Sequence, residues 1–217
     1  IGDGANRMAL DVFEELFADP TVVAPGTGPG LRLRIEHAQI LTETDIPRFA
    51  SLGVIPSMQP THATTDWQTA TERLGEERVR WGYTWRSLLD TGAALVFGSD
   101  FPVEPVSPFI GLHSATSRQN PNGIPEGGWL TDEAVTREEA LRAFTLTAAW
   151  GGFDEDSIGS IEVGKRADLV VLDRDVLDEA QPFRDLLDTQ VLATLMDGQC
   201  VYSDGVDSGA ARLCTGV

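Results

Sequence analysis

The sequence is short of positive charge. Sixteen basic residues face 34 acidic ones, for a formal net charge of −18, and Lys165 is the only lysine. Such a surface repels phosphate backbones and anionic lipid, so neither nucleic acid nor a membrane is an expected partner. The two cysteines, Cys200 and Cys214, are too few for a disulfide framework and form no metal-binding pair. A reducing, cytoplasmic setting is the expectation they support. No apolar run reaches the roughly 18 residues of a membrane span. The first residues hold no charged n-region with an apolar stretch behind it, so no secretory leader is expected. His-x-His, His-Glu-x-x-His and Gly-x-Ser-x-Gly are all absent, and no glycine-rich phosphate loop opens a helix. A self-contained metalloprotease, serine hydrolase or dinucleotide enzyme is therefore poorly supported.

What is present can bury a core: 217 residues, 41% of them hydrophobic and 23% charged. Residues 4–18 place Met8, Val12, Phe13, Leu16 and Phe17 on one helical face. A Pro/Gly-rich loop follows, then a short strand over 31–35 that delivers Glu36-His37-Ala38-Gln39. Thr42 and Asp45 open a helix that Gly53 stops. The next strand candidate, 54–58, is weakened by Pro56. Residues 59–75 read as a long loop carrying His62 and Asp66, followed by a helix over 76–90. The continuous apolar run 93–97 suits a buried parallel strand ending in Gly98-Ser99-Asp100. A short helix over 108–118 and a helix from Thr136, with Glu139 at capping-box spacing, come next. After about residue 157 the texture turns to strands: 168–172, then 191–196 and 199–203 around Asp197-Gly198, a type I′ hairpin signal.

The alternation of helix and strand over 1–156 implies a parallel α/β architecture, and 157–217 reads as part of a small β domain. Only three strands precede that β segment, whereas an eight-stranded barrel needs about 250 residues. The chain amounts to roughly half a barrel.

Of the three histidines, His37, His62 and His113, the first stands out by position. His37 and Asp100 each follow directly on an apolar strand. Parallel strands open their C-termini onto one face, where imidazole and carboxylate can ligate a divalent ion such as zinc. Taken singly, His37 could equally be a satisfied buried histidine and Asp100 a turn or cap residue.

Four segments, in this order, carry a resemblance: Arg34 to Gln39, Gln59-Pro60-Thr61-His62, Gly98 to Pro102, and Gly159 to Leu172. The chain resembles the amidohydrolase superfamily from Ile1 to about Asp204, and most of all its YtcJ-like branch, which includes N-substituted formamide deformylases. The resemblance implies the C-terminal half of a metal-dependent (β/α)8 TIM barrel plus part of a composite β-sandwich. His37 matches a metal ligand after strand 6. Asp100 matches the strand-8 aspartate that touches the metal and handles the proton of the attacking water. His62 matches a histidine facing the substrate; on its own it reads equally as a surface-loop residue. His113 matches no ligand and reads as structural. Glu104 and Arg118 either line the mouth of the site or are plain surface residues.

The implied activity is metal-dependent hydrolysis of a small-molecule, non-peptide amide, with one or two divalent ions, zinc foremost. The family's His-x-His after strand 1 and its bridging lysine or acid after strand 4 have no match here. The chain is therefore expected to be a C-terminal segment, a homo-oligomer or an associate of an N-terminal half, and by itself to hold no stoichiometric metal and hydrolyse no amide. Two other readings stand beside this one. One is an inactive half-barrel acting only through self-association or partner binding. The other is a standalone α/β domain that binds a small molecule.

Overall fold

The computed structural model describes residues 1–205 and Cys214. Helix α1 (Asp3–Ala18) leads into β1 (Arg34–Glu36), α2 (Ile46–Leu52), β2 (Ile55–Met58), α3 (Pro60–Val79), α4 (Trp85–Asp90) and β3 (Val96–Phe97). The three strands form one parallel sheet in the order β1-β2-β3, with Ile35 opposite Pro56 and Ser57 opposite Val96. Helices α5 (Pro108–Ser117), α6 (Arg137–Phe144) and α7 (Leu146–Gly151) follow. A separate antiparallel sheet, β4 (Leu169–Leu172), β5 (Val191–Met196) and β6 (Gln199–Ser203), completes the described chain. This is the mixed α/β arrangement expected of a barrel fragment.

Local signals account for many of the elements. Thr136 Oγ1 accepts from the Glu139 amide and the Glu139 carboxylate accepts from the Thr136 amide, closing the capping box. Asp197 (φ 54°) and Gly198 (φ 78°) both take the left-handed conformation that the β5–β6 turn needs. Gly53 (φ 65°) ends α2 as expected.

Other expectations are corrected. Residues 59–75 are not a loop: Pro60 sits in the first turn of α3, where its missing N–H costs nothing. Ala63, Trp67, Ala70 and Leu74 then repeat at helical spacing. The helix predicted over 76–90 is instead the tail of α3 beyond a break at Gly75 (φ 73°), then α4 beyond Tyr83 (φ 54°). The strand expected over 31–35 starts later, because a 3-10 turn at Gly28–Leu31 and a left-handed Arg32 come first. β3 shrinks to two residues. Ile55 and Ser57 bond toward β1, so Pro56 faces β3 without a donor, and the β2–β3 ladder begins only at Ser57.

The cysteine reading is corrected as well. Cys200 and Cys214 are joined in a disulfide that ties residue 214 back to β6. Two cysteines 14 residues apart say nothing about proximity until the hairpin is built. Disulfides persist mainly in oxidising compartments, so cysteine usage no longer supports a cytoplasmic setting.

One apolar core runs through both sheets' surroundings. It joins Leu10, Phe49, Met58, Trp85, Phe97 and Leu112 to Val176 and Leu186. Arg137, itself buried, donates to the Gln181 and Pro182 carbonyls at 2.6 and 3.1 Å. The β segment is therefore docked on the helices of the parallel part.

Asp45 pins α1 to α2. Its buried carboxylate accepts from Thr42 Oγ1 (2.7 Å), Arg7 Nε (3.0 Å) and Arg48 Nη1 (3.1 Å). Burial alone raises its pKa, but the hydrogen bonds from Thr42, Arg48 and Arg7 outweigh it and hold the value below the ordinary 3.8. The unfolded chain thus takes up the proton first as pH falls. The stabilisation is full above 3.8 and is lost as pH drops through the depressed folded value. Asp45→Asn is expected to cost about 1–3 kcal/mol at neutral pH. In urea titrations the difference from the parent should shrink between pH 6 and pH 3; a difference independent of pH would contradict this account.

Candidate metal centre at the strand ends

Because β1, β2 and β3 run parallel, the residues just past their C-termini share one edge of the sheet. His37 follows β1, and its amide extends the ladder to Ser57 O (2.7 Å). Gln59 and then His62 follow β2, and the Gly98 amide reaches Met58 O (3.1 Å) before the chain turns into Asp100. The backbone turns sharply here. His37 (φ 70°), Ala38 (φ 40°) and Asp100 (φ 57°) are all left-handed, a conformation that costs non-glycine residues about 1–3 kcal/mol each.

The result is a cluster. One donor atom from each of His37, His62 and Asp100 lies within 4.8 Å of the others. His62 Nε2 stands 3.6 Å from Asp100 Oδ2, and the two imidazoles stack at 5.7 Å between centroids, 22° from parallel. His37 Nδ1 is bonded to Gln59 Oε1 at 2.9 Å. The expected convergence of His37 and Asp100 in one place is what the fold gives. His62 differs from its loop reading: it lies in the first turn of α3 and is buried, 8% exposed.

The donor set fits a divalent ion. It is imidazole and carboxylate without thiolate, at a strand-end rim. His62 Nε2 is buried without a hydrogen-bond partner among the described residues, a state that proteins seldom leave uncompensated. His37 has its second ring nitrogen tied to a side chain, as ligating histidines commonly do.

Residues to which the sequence assigned no role brace this edge. Gln59, His62 and Asp66 fall at helical spacing on one face of α3. Asp66 Oδ2 accepts from Gln39 Nε2 and from the Tyr83 hydroxyl, both at 3.0 Å, and Gln39 Nε2 also contacts that hydroxyl. Burial and then the Asp66 charge hold the Tyr83 phenol well above its usual range. The same face thus holds both His37 and Gln39. The 3-and-4 spacing is visible in the sequence once 59–75 is taken as helix.

Arg118 neither lines a mouth nor lies on the surface. It is fully buried against Trp85, 4.2 Å from the ring centroid, and donates to the Tyr83 and Trp129 carbonyls. Burial draws its pKa down to about 10. Glu104 accepts from Thr65 Oγ1 at 2.7 Å, one turn beyond His62. An apolar cleft of about 700 Å³ lies elsewhere, against α6, α7 and β4, and is lined by Phe144, Ala148, Leu169 and Leu172 among others. It includes none of His37, His62 or Asp100.

A family model described as "Amidohydrolase family" matches residues 1–202. The chain is 36% identical over 203 residues to Protein LONG AFTER FAR-RED 3 of Arabidopsis thaliana, covering 93% of this chain and 33% of that one. It is 37% identical over 203 residues to the N-substituted formamide deformylase of Arthrobacter pascens, covering 93% and 35%. A solved structure, an uncharacterized metal-dependent hydrolase from Pyrococcus horikoshii OT3, superposes with a TM-score of 0.68 at 36% identity, covering 82% of this chain and 33% of that one. The chain spans about a third of the length of the curated relatives it matches.

His113 lies apart from this cluster, buried on α5 beside Ser117. Burial, and secondarily the Arg184 charge, pull its pKa down to about 4. Its ring signals in an NMR titration are expected to stay flat between pH 8 and pH 5.5. A midpoint above 6 would contradict its structural placement.

Proposed function

The chain belongs to the amidohydrolase family, and from that premise we propose that it carries the strand-end half of the metal centre of a hydrolase acting on carbon–nitrogen bonds of small amides. The observation that carries this reading is the convergence of His37, His62 and Asp100 at the ends of adjacent parallel strands. His37 and Asp100 would hold a divalent ion, zinc foremost. When bound, such an ion acts as a Lewis acid toward a substrate carbonyl and brings the pKa of its water toward about 7.

The chain's own groups supply the rest. The Asp100 carboxylate, 35% exposed, can take a proton from the attacking water and pass it to the departing nitrogen. An amine leaves poorly as an anion, so this second transfer completes the cleavage: water and amide become acid and amine. His62 Nε2 lies 3.6 Å from that carboxylate without a hydrogen-bond partner among the described residues, and would turn toward the substrate when it binds. The left-handed turns at His37 and Asp100 aim both side chains at one point before substrate arrives.

Association with another chain is the second reading. Each sheet has two edge strands among the described residues, and Ile161, Val163 and Val170 are exposed. Light scattering is expected to show species larger than a monomer; a strict monomer at tens of micromolar would remove this reading.

Turnover is tested on a panel of N-substituted formamides, the compounds named for one relative. In the complete enzyme, Asp100→Asn keeps the shape and removes the proton acceptor, with an expected loss in kcat of at least about 10²-fold. His62→Gln is expected to act more on KM. Near-normal turnover by Asp100→Asn would contradict the assignment.

A further inference from the structure

Gln59 has no part in the reaction just proposed, yet its contact with His37 Nδ1 places it to set the tautomer of that ring. We propose that Gln59 is a positioning residue that holds His37 as the Nδ1–H tautomer and leaves the Nε2 lone pair for a cation. The last clause rests on the metal reading of His37; the tautomer does not.

The geometry is direct. Gln59 Oε1 lies 2.9 Å from His37 Nδ1. An amide oxygen can only accept, so the shared proton belongs to Nδ1. A neutral imidazole carries a single N–H, so Nε2 is then unprotonated and is the only ring nitrogen left to ligate. A solvated histidine side chain prefers the opposite tautomer, with the proton on Nε2. The contact therefore has to reverse an intrinsic preference, and a structural filler has no reason to do so.

Gln59 is also well held. It is 8% exposed, sits at the N-cap of α3 with extended backbone (φ −124°), and its carbonyl accepts from the His62 amide at 3.2 Å. His37 is fixed from the other side by its amide bond to Ser57 O and by its left-handed backbone. The backbones that carry the two side chains are thus held by the first turn of α3 and by the end of the β1–β2 ladder. One residue thus ties two histidines: His37 through its side chain and His62 through its main chain. Gln59 caps the helix whose first turn carries His62, so the amide and the second imidazole approach His37 together.

The test reads the tautomer itself in the metal-free chain at pH 8. Long-range ¹H–¹⁵N spectra distinguish Nδ1–H from Nε2–H, and three histidines make assignment by single substitution practical. The parent is expected to show Nδ1–H at His37. Gln59→Glu keeps an acceptor of the same size and should keep Nδ1–H; Gln59→Leu removes it and should revert to Nε2–H. In the complete enzyme, zinc affinity by competition with a chromophoric chelator is expected to fall about 10–100-fold in Gln59→Leu and to be restored in Gln59→Glu. An Nε2–H ring at His37 in the parent, or in Gln59→Glu should the leucine variant not fold, overturns the proposal. So does an unchanged tautomer in a folded Gln59→Leu. A parent with Nδ1–H whose complete enzyme takes up no zinc sustains the tautomer assignment and overturns the metal reading instead.

Discussion

The parallel register of three short strands is the constraint on which the rest depends. With β2 between β1 and β3, the chain leaves all three strands at the same edge. His37, Gln59 and Asp100 are then neighbours although 22 and 41 residues separate them. An antiparallel β2 would send Gln59 and His62 to the opposite end of the sheet. The strands are only two to four residues long, so little sheet is spent on this placement. The surrounding core, from Leu10 to Leu186, holds the sheet rigid and lets three left-handed residues persist at its rim.

Helix α3 converts that placement into orientation. Its first two turns set Gln59, His62 and Asp66 against the 37–39 segment, so one helix face fixes the His37 ring, supplies the second imidazole and anchors Gln39. Tyr83 and Arg118 extend the bracing. The Tyr83 amide donates to Gln39 O, and the buried Arg118 guanidinium holds the Tyr83 carbonyl. A buried cation without a directly bonded carboxylate is costly. Here carbonyl oxygens and the Trp85 ring take that role, and the guanidinium keeps Tyr83 in its left-handed turn.

Much of this was legible in the sequence, and the exceptions have physical causes. Elements defined by local chemistry read correctly: the Thr136–Glu139 capping box and the Asp197-Gly198 turn. The stripe of α1 did not, because Met8 and Val12 are exposed while Asn6 and Leu10 are the buried residues of that helix. Features that depend on a distant partner did not. Pro60 marks a loop and a helix first turn with equal force, and the arbitrating stripe of Ala63, Trp67, Ala70 and Leu74 is sparse. The length of β3 is set by a missing donor on β2. The Cys200–Cys214 pairing and the burial of Arg118 follow from packing alone. At the site, the strand-end positions of His37 and Asp100 were visible, while Gln59 and Asp66 acquire meaning only once α3 is a helix.

The central claim is that a divalent cation binds between His37 and Asp100, and crystallography with anomalous scattering at the zinc edge tests it most directly. Crystals of the complete enzyme equilibrated with zinc are expected to show a peak about 2.0–2.2 Å from both a His37 ring nitrogen and an Asp100 carboxylate oxygen. A zinc-saturated crystal whose peaks all lie elsewhere on this acidic surface would contradict the account.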